Sequence, residues 1–275
     1  MAIVLSLLSS LLWGASDFTG GLISRRQHAL VTVGWSTVFG LGFATVAVAL
    51  STGWHGPWGW APWGMAAGAS GALGLISYYY ALANGTMGVV APVTSLGVVV
   101  PVVVGIVAGE SPSAVTLSGI AVAVVGVVLT SGPELTGVTS ARPVVVAAVG
   151  GVFFGAFFVF ADHGSSDSPL LTLWAMRATV VAAFAIAALV QGGVTGMRPP
   201  DYLWVAAVAA GDLGANLLFG IASTKGYVSI TSVLSSLFPV VTVLLATVVL
   251  RERLRVVQLV GVVVTMSGVA LIAAG

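Results

Sequence analysis

Apolar runs of about twenty residues follow one another almost from end to end of this chain, and they leave few folds open. A helix of that length crosses about 30 Å of hydrocarbon. Inside lipid the backbone must satisfy its own hydrogen bonds, which leaves helices or a closed barrel. Barrel strands alternate apolar and polar residues over about ten positions, whereas these runs are continuous. Only 6% of the 275 residues are charged, against about a quarter in a soluble domain. The sequence therefore describes an all-α integral membrane protein.

Ten spans can be drawn, at 2–22, 30–50, 62–83, 88–108, 113–131, 143–162, 169–190, 202–223, 228–250 and 256–274. Met1–Leu12 lacks the basic start of a signal peptide, and Trp13, Asp17 and Phe18 continue the segment, so it reads as the first span. The second half of the chain repeats the first. At a constant offset of 142 residues, Glu110 meets Glu252, Val115 Val257, Leu117 Leu259 and Gly119 Gly261. Val122 likewise meets Val264, Gly126 Gly268, Val127 Val269 and Leu129 Leu271. The segment Ser131–Arg142 separates a first repeat, 1–134, from a second, 135–275. Five spans per repeat is an odd number, so the second repeat enters the membrane from the opposite side, forming two inverted five-helix repeats.

Basic residues suggest an orientation. Odd-numbered loops carry Arg25, Arg26, Arg142, Arg198, Arg251, Arg253 and Arg255, and even-numbered loops carry only Lys225. The positive-inside rule puts the odd loops in the cytoplasm and both termini outside. Trp54, Trp58, Trp60 and Trp63 read as an interfacial aromatic belt.

Charges deep in a span are functional candidates, and three qualify: Asp17, Arg177 and Asp212. Asp212, Asn216 and Ser223 share a helical face, as do Trp174, Arg177, Val181 and Phe184. Two readings stand for Arg177 and Asp212: an ion pair joining neighbouring helices, or cavity groups that pair with a charged substrate. Asp17 shares a stripe with Ser6, Ser9, Ser10 and Trp13. It is either a hydrated residue near a span end or a cavity carboxylate. With two acids against one arginine, one carboxylate is in surplus and must take up a proton or a cation. Further substrate-facing candidates are Ser77, Tyr78 and Tyr80 in span three and Ser232 in span nine. The hydroxyls around Pro92, Pro101 and Pro239 fit either a broken helix lining a wet site or side chains bonded back to their own helix. Glu110 and Glu252 read as structural caps at span ends.

Several motifs together resemble the ten-helix EamA-like branch of the drug/metabolite transporter superfamily. They are Trp13-Gly14, then Tyr79-Tyr80-Ala81-Leu82 leading to Asn84-Gly85, then Pro239 followed by Glu252-Arg253-Leu254, and finally Gly261 and Gly268. The resemblance implies that spans one to four and six to nine surround a central cavity, with spans five and ten peripheral. Family members are usually drawn with both termini cytoplasmic, the reverse of the charge reading.

The function expected is transport of small organic metabolites (amino-acid-like, aromatic or amine-bearing) by alternating access in the inner (plasma) membrane. Asp17 and Asp212 are the candidate coupling groups for a proton-linked cycle. The alternatives are a non-transporting scaffold or partner subunit and an intramembrane enzyme. The enzyme reading lacks a serine–histidine constellation, an H-E-x-x-H motif and a phosphate-cradling loop. With no cysteine and no clustered ligands, neither a metal nor a cofactor is expected. A net charge of +1 gives no reason to expect nucleic acid. The partners expected are the substrate, protons and the bilayer, with the chain a monomer or weak dimer.

Overall fold

The structure is a computed structural model describing residues 1–24, 29–51, 54, 58–85, 87–131, 141–191, 197–251 and 255–275. Among these, every regular element is a helix. The helices are α1 (Ala2–Ser24), α2 (Ala29–Ser51), α3 (Trp60–Asn84), α4 (Met87–Ser95), α5 (Val99–Val107) and α6 (Ala114–Thr130). The second half contributes α7 (Ala141–Asp167), α8 (Pro169–Gln191), α9 (Asp201–Ser223), α10 (Val228–Ser235), α11 (Phe238–Val249) and α12 (Val256–Ala274).

Eight helical segments among the described residues are long and apolar enough to cross a membrane. Two expected spans fall outside that set for different reasons. Helix α6 has 17 residues. Helix α3 has 25, but its tryptophans, tyrosines, serines and glycines dilute its hydropathy. The sixth span, expected to end at residue 162, continues as α7 to Asp167, and only Ser168 separates it from α8.

Spans four and nine are interrupted, and the prolines explain where. Pro101 has no N–H to reach the Gly97 carbonyl, and the chain tightens into a 3₁₀ turn at Leu96–Val98 between α4 and α5. Pro239 likewise leaves the Ser235 carbonyl without its helical donor, and α10 ends there before α11 begins. The first break sets Gly97 against the backbone of Gly151 and Gly155 on α7, where no side chain would fit. Local back-bonding occurs as well, from the Ser95 hydroxyl to the Pro92 carbonyl at 2.8 Å.

Contacts between the two halves come in matched pairs. Helix α1 packs on α9 as α3 packs on α7, and α2 on α9 as α3 on α8. Helix α1 lies along α10 and α11 as α7 lies along α4 and α5. The seam between α6 and α12 shows the match residue by residue. Gly119 meets the backbone of Ile272, and Gly126 that of Thr265. Shifted by the repeat offset in opposite senses, these become Gly261 against Thr130 and Gly268 against Ala123, and both contacts are present. Contact positions rise on one helix as they fall on the other, so the two helices are antiparallel. Glycine at these four places lets backbone approach backbone, which drives helix association in lipid.

One expectation about aromatic residues needs correction. Trp60 is 4% exposed, packed with Val48, Leu171 and Ala175, so it is core and not belt. Trp54 and Trp58 are exposed. Arg25, Arg26, Glu252, Arg253 and Leu254 lie outside the described residues.

Candidate functional site

Asp212 is the hub of the interior. Helix α9 carries it on the face turned to α1 and α8. Its Oδ1 accepts the Trp13 indole N–H at 2.9 Å and an amide N–H of Asn216 at 3.1 Å. Its Oδ2 accepts from the Arg177 guanidinium in a close ion pair. Asn216, one turn along, also donates to the Asp212 backbone carbonyl at 2.7 Å. The side chains of Arg177 and Asp212 are 14% and 28% exposed, so the pair is only partly screened. The Arg177 Nε is buried without a hydrogen-bond partner among the described residues. The Arg177 stem lies over Gly40 on α2.

Trp13 is boxed by rings from three other membrane segments. Phe157 and Phe158 of α7, Phe219 of α9 and Phe238 of α11 all lie 5.9 to 6.4 Å from it, centroid to centroid. Beside it, Gly14 gives α11 room to approach: a methyl there would collide with Val241 and the Phe238 carbonyl.

Asp17 stands one turn beyond Trp13. It makes no hydrogen bond or ion pair among the described residues, yet it feels the charge of Asp212 and acts on Tyr78 and Tyr79. Its position on α1 decides what its exposure means. Val4, Leu8 and Leu11 form the outward stripe of α1, at 59%, 43% and 50% exposed. At 100° per residue, Asp17 projects from the opposite side, on the arc of Trp13 and of buried Ser6 and Ser10. Asp17 is thus exposed on the side of α1 that carries Trp13, without an ion-pair partner among the described residues.

The remaining candidates are scattered. Tyr78 packs on Phe154 at 6.4 Å. Ser77 sits in the α3–α7 seam against Gly150. Tyr80 lies on the outward stripe of α3 with Leu73 and Ile76, its ring 5.7 Å from the Arg142 guanidinium. Trp174 shares a stripe with Arg177 but turns to α2, donating to Thr45 at 3.0 Å and meeting Trp54. Ser232 is fully buried on α10, its hydroxyl without a partner among the described residues. Sequence reasoning missed the four phenylalanines, which come from three helices with no spacing to link them. It also missed Tyr79, for which three consecutive tyrosines gave no way to choose. No cluster of histidine and acidic residues suited to a metal ion exists among the described residues.

The profile of the EamA-like transporter family matches residues 1–132 and again 141–274. The chain belongs to the EamA-like transporter family. The two matches leave residues 133–140 between them. One solved structure, described only as "Crystal structure of protein", superposes with a TM-score of 0.79 at 18% identity. The alignment covers 98% of this chain and 95% of that one, and at this identity it speaks for the fold. No curated protein matches significantly. The EamA-like chain is thus a multi-pass membrane protein from a family of small-solute transporters.

Proposed function

We propose that this protein moves small amine-bearing organic solutes, aromatic ones among them, across the inner membrane by alternating access. The observation that carries this reading is Asp17: an unpaired carboxylate facing the bundle interior, one turn from a boxed tryptophan and within electrostatic reach of two tyrosines. An incoming ammonium finds a counter-charge there, and aromatic faces attract cations. The neutral Arg177–Asp212 pair holds α8 and α9 beside this site and leaves Asp17 as the group that exchanges a proton or a cation.

The architecture proposed is ten crossings in two inverted five-helix repeats, 1–134 and 135–275. The reciprocal antiparallel glycine contacts of α6 and α12 support it, because equivalent helices that run antiparallel belong to inverted units. Helix α3 is about 37 Å long at 1.5 Å per residue, enough to cross despite its modest hydropathy. The chain works as a monomer or weak dimer and catalyses no reaction.

Reconstituted vesicles challenged with a panel of amines, amino acids and neutral analogues, with and without a pH gradient, test this reading. Amine-bearing solutes should enter and their neutral analogues should not. A scaffold would move nothing at any gradient, and an enzyme would release an altered product.

A further inference from the structure

We propose that the end of the molecule carrying both chain termini is a closed, hydroxyl-lined half of the translocation path, and that Glu110 is its latch. This rests on the transport reading above. The grip starts in a turn. Gly109 takes the left-handed φ of 103°, which glycine adopts freely, and the Glu110 N–H reaches back to the Gly105 carbonyl at 2.9 Å. That turn ends α5 and aims the Glu110 side chain across to α10. The carboxylate lies so close over Gly105 that a methyl there would collide with it. Its two oxygens accept the first amides of α10, Val228 N–H at 2.5 Å and Ser229 N–H at 3.2 Å. A carboxylate on free amides at the positive end of a helix is a favourable contact. It ties the first half of the chain to the second.

What the latch closes is unusual for a core. One face of α10 carries Ile230, Val233 and Leu234, which pack, with Leu237 just beyond the helix, against Val98 and Ile120. The other carries Thr231, Ser232 and Ser235, all at 0% exposure. Along α1, Ser6, Ser9 and Ser10 are also buried. The Ser235 hydroxyl points to the Ser6 carbonyl at 3.4 Å, and the Ser9 hydroxyl donates to the Ala215 carbonyl of α9 at 2.8 Å. The hydroxyls of Ser229 and Ser232 have no hydrogen-bond partner among the described residues. Buried hydroxyls without partners are unfavourable. A wall that is wet in one conformation and shut in another accounts for them.

The same end is shut elsewhere. Gly226 lies against Ala2, and Gly275 against Ser113 and Thr116. The box around Trp13 separates this serine seam from Asp17. The two sides of Trp13 therefore differ: Asp17 is exposed, and the seam from Ser10 to α10 is buried. Release of Glu110 would let α10 move and open the serine side.

The chain has no cysteine, so single-cysteine variants of the full protein can be labelled with a membrane-impermeant maleimide. Ser232→Cys should label slowly, and Asp17→Cys readily. Adding Glu110→Gln should accelerate labelling at Ser232→Cys about tenfold and slow it at Asp17→Cys, because an alternating path is open on one side at a time. Val48→Cys, fully buried between helices, should not change. Unchanged labelling at Ser232→Cys in folded Glu110→Gln and Glu110→Ala overturns the latch. Equal acceleration at Val48→Cys also overturns it, by showing general loosening. Where Glu110→Ala fails to fold, Glu110→Gln alone decides, since it keeps the side-chain shape while losing the charge and one of the two acceptor oxygens. Labelling needs no substrate. A reciprocal labelling change without any transport would leave the latch standing and reject the transport reading instead.

Discussion

Replacing Asp212 by alanine should damage folding as well as transport, and the structure sets the scale. The carboxylate accepts from Arg177, the Trp13 indole and the Asn216 amide. Alanine strands all three donors, and the one that matters most is Arg177, 14% exposed with its Nε already unpartnered. Breaking one side of a buried pair costs about 3–5 kcal/mol. Asp212 is 28% exposed, so some water reaches the site, and the lower bound of about 3 kcal/mol is the better figure. At about 2–4 °C per kcal/mol for a chain of this size, the melting temperature in detergent should fall by about 6–12 °C. The double variant Arg177→Ala/Asp212→Ala removes the stranded charge and should recover most of that loss. Transport by the double variant then separates the two roles. Recovery of both stability and transport means the pair only joins helices. Recovery of stability alone means one of the two touches substrate or couples the cycle. A melting temperature for Asp212→Ala within about 1 °C of the parent would refute the reasoning, because no buried charge would then have been stranded.

Three further outcomes follow from other parts of the molecule. Asp17→Asn keeps the shape and removes the exchangeable proton, so coupled transport should lose its dependence on pH while downhill exchange survives; an unchanged pH profile would move coupling to Asp212. Cysteines at Arg142 and Arg198 should label only from the cytoplasm and one at Lys225 only from outside, and the reverse pattern would show that charge bias misleads for this chain. Gly126→Val should cost more than about 2 kcal/mol, since its Cβ would press on the Thr265 backbone. Gly42→Ala, where nothing lies within 4 Å, should be neutral or gain up to about 1 kcal/mol from helix propensity. Equal thermal shifts for the two glycine variants would reject the close seam.

The parts of this molecule legible in sequence are those set by one helix or by simple scarcity. Hydrophobic length marked the helices, and prolines marked the breaks in spans four and nine, though not how sharply each would turn. The glycine repeat pointed to α6 and α12 because close backbone packing needs the same residue on both sides. The Arg177–Asp212 pair was reachable because intramembrane charges are so few that each has almost one choice of partner. Spacing fails where the question is which neighbour a face meets. Trp174 and Arg177 share a stripe, yet one bonds Thr45 on α2 and the other Asp212 on α9, because a stripe is wide enough to touch two helices. Tyr80 faced outward for the same reason: its neighbours in the chain fix its angle on α3, and only packing says which angle is inside.

The two halves are matched in shape but not in charge, and this bears on where a substrate binds. Gly14 packs on α11 as Gly155 packs on α5, so Phe154 holds the place in the second half that Trp13 holds in the first. Gly71 stands as far before Gly85 as Asp212 stands before Gly226, and Gly71 meets only the ring of Phe157. The α3–α7 side therefore offers glycine and phenylalanine where the matched α1–α9 side offers an indole N–H and an acid. A substrate lying on the axis between the halves would meet a polar wall on one side, built from α1, α8 and α9, and an apolar wall on the other, built from α3 and α7. Such a site favours a solute that is itself two-sided, with a charged amine toward Asp17 and an aromatic or aliphatic body toward Phe154 and Phe157. Pairing Asp212 with Arg177 suits that arrangement, because a second free carboxylate on the polar wall would compete with Asp17 for the same single positive charge.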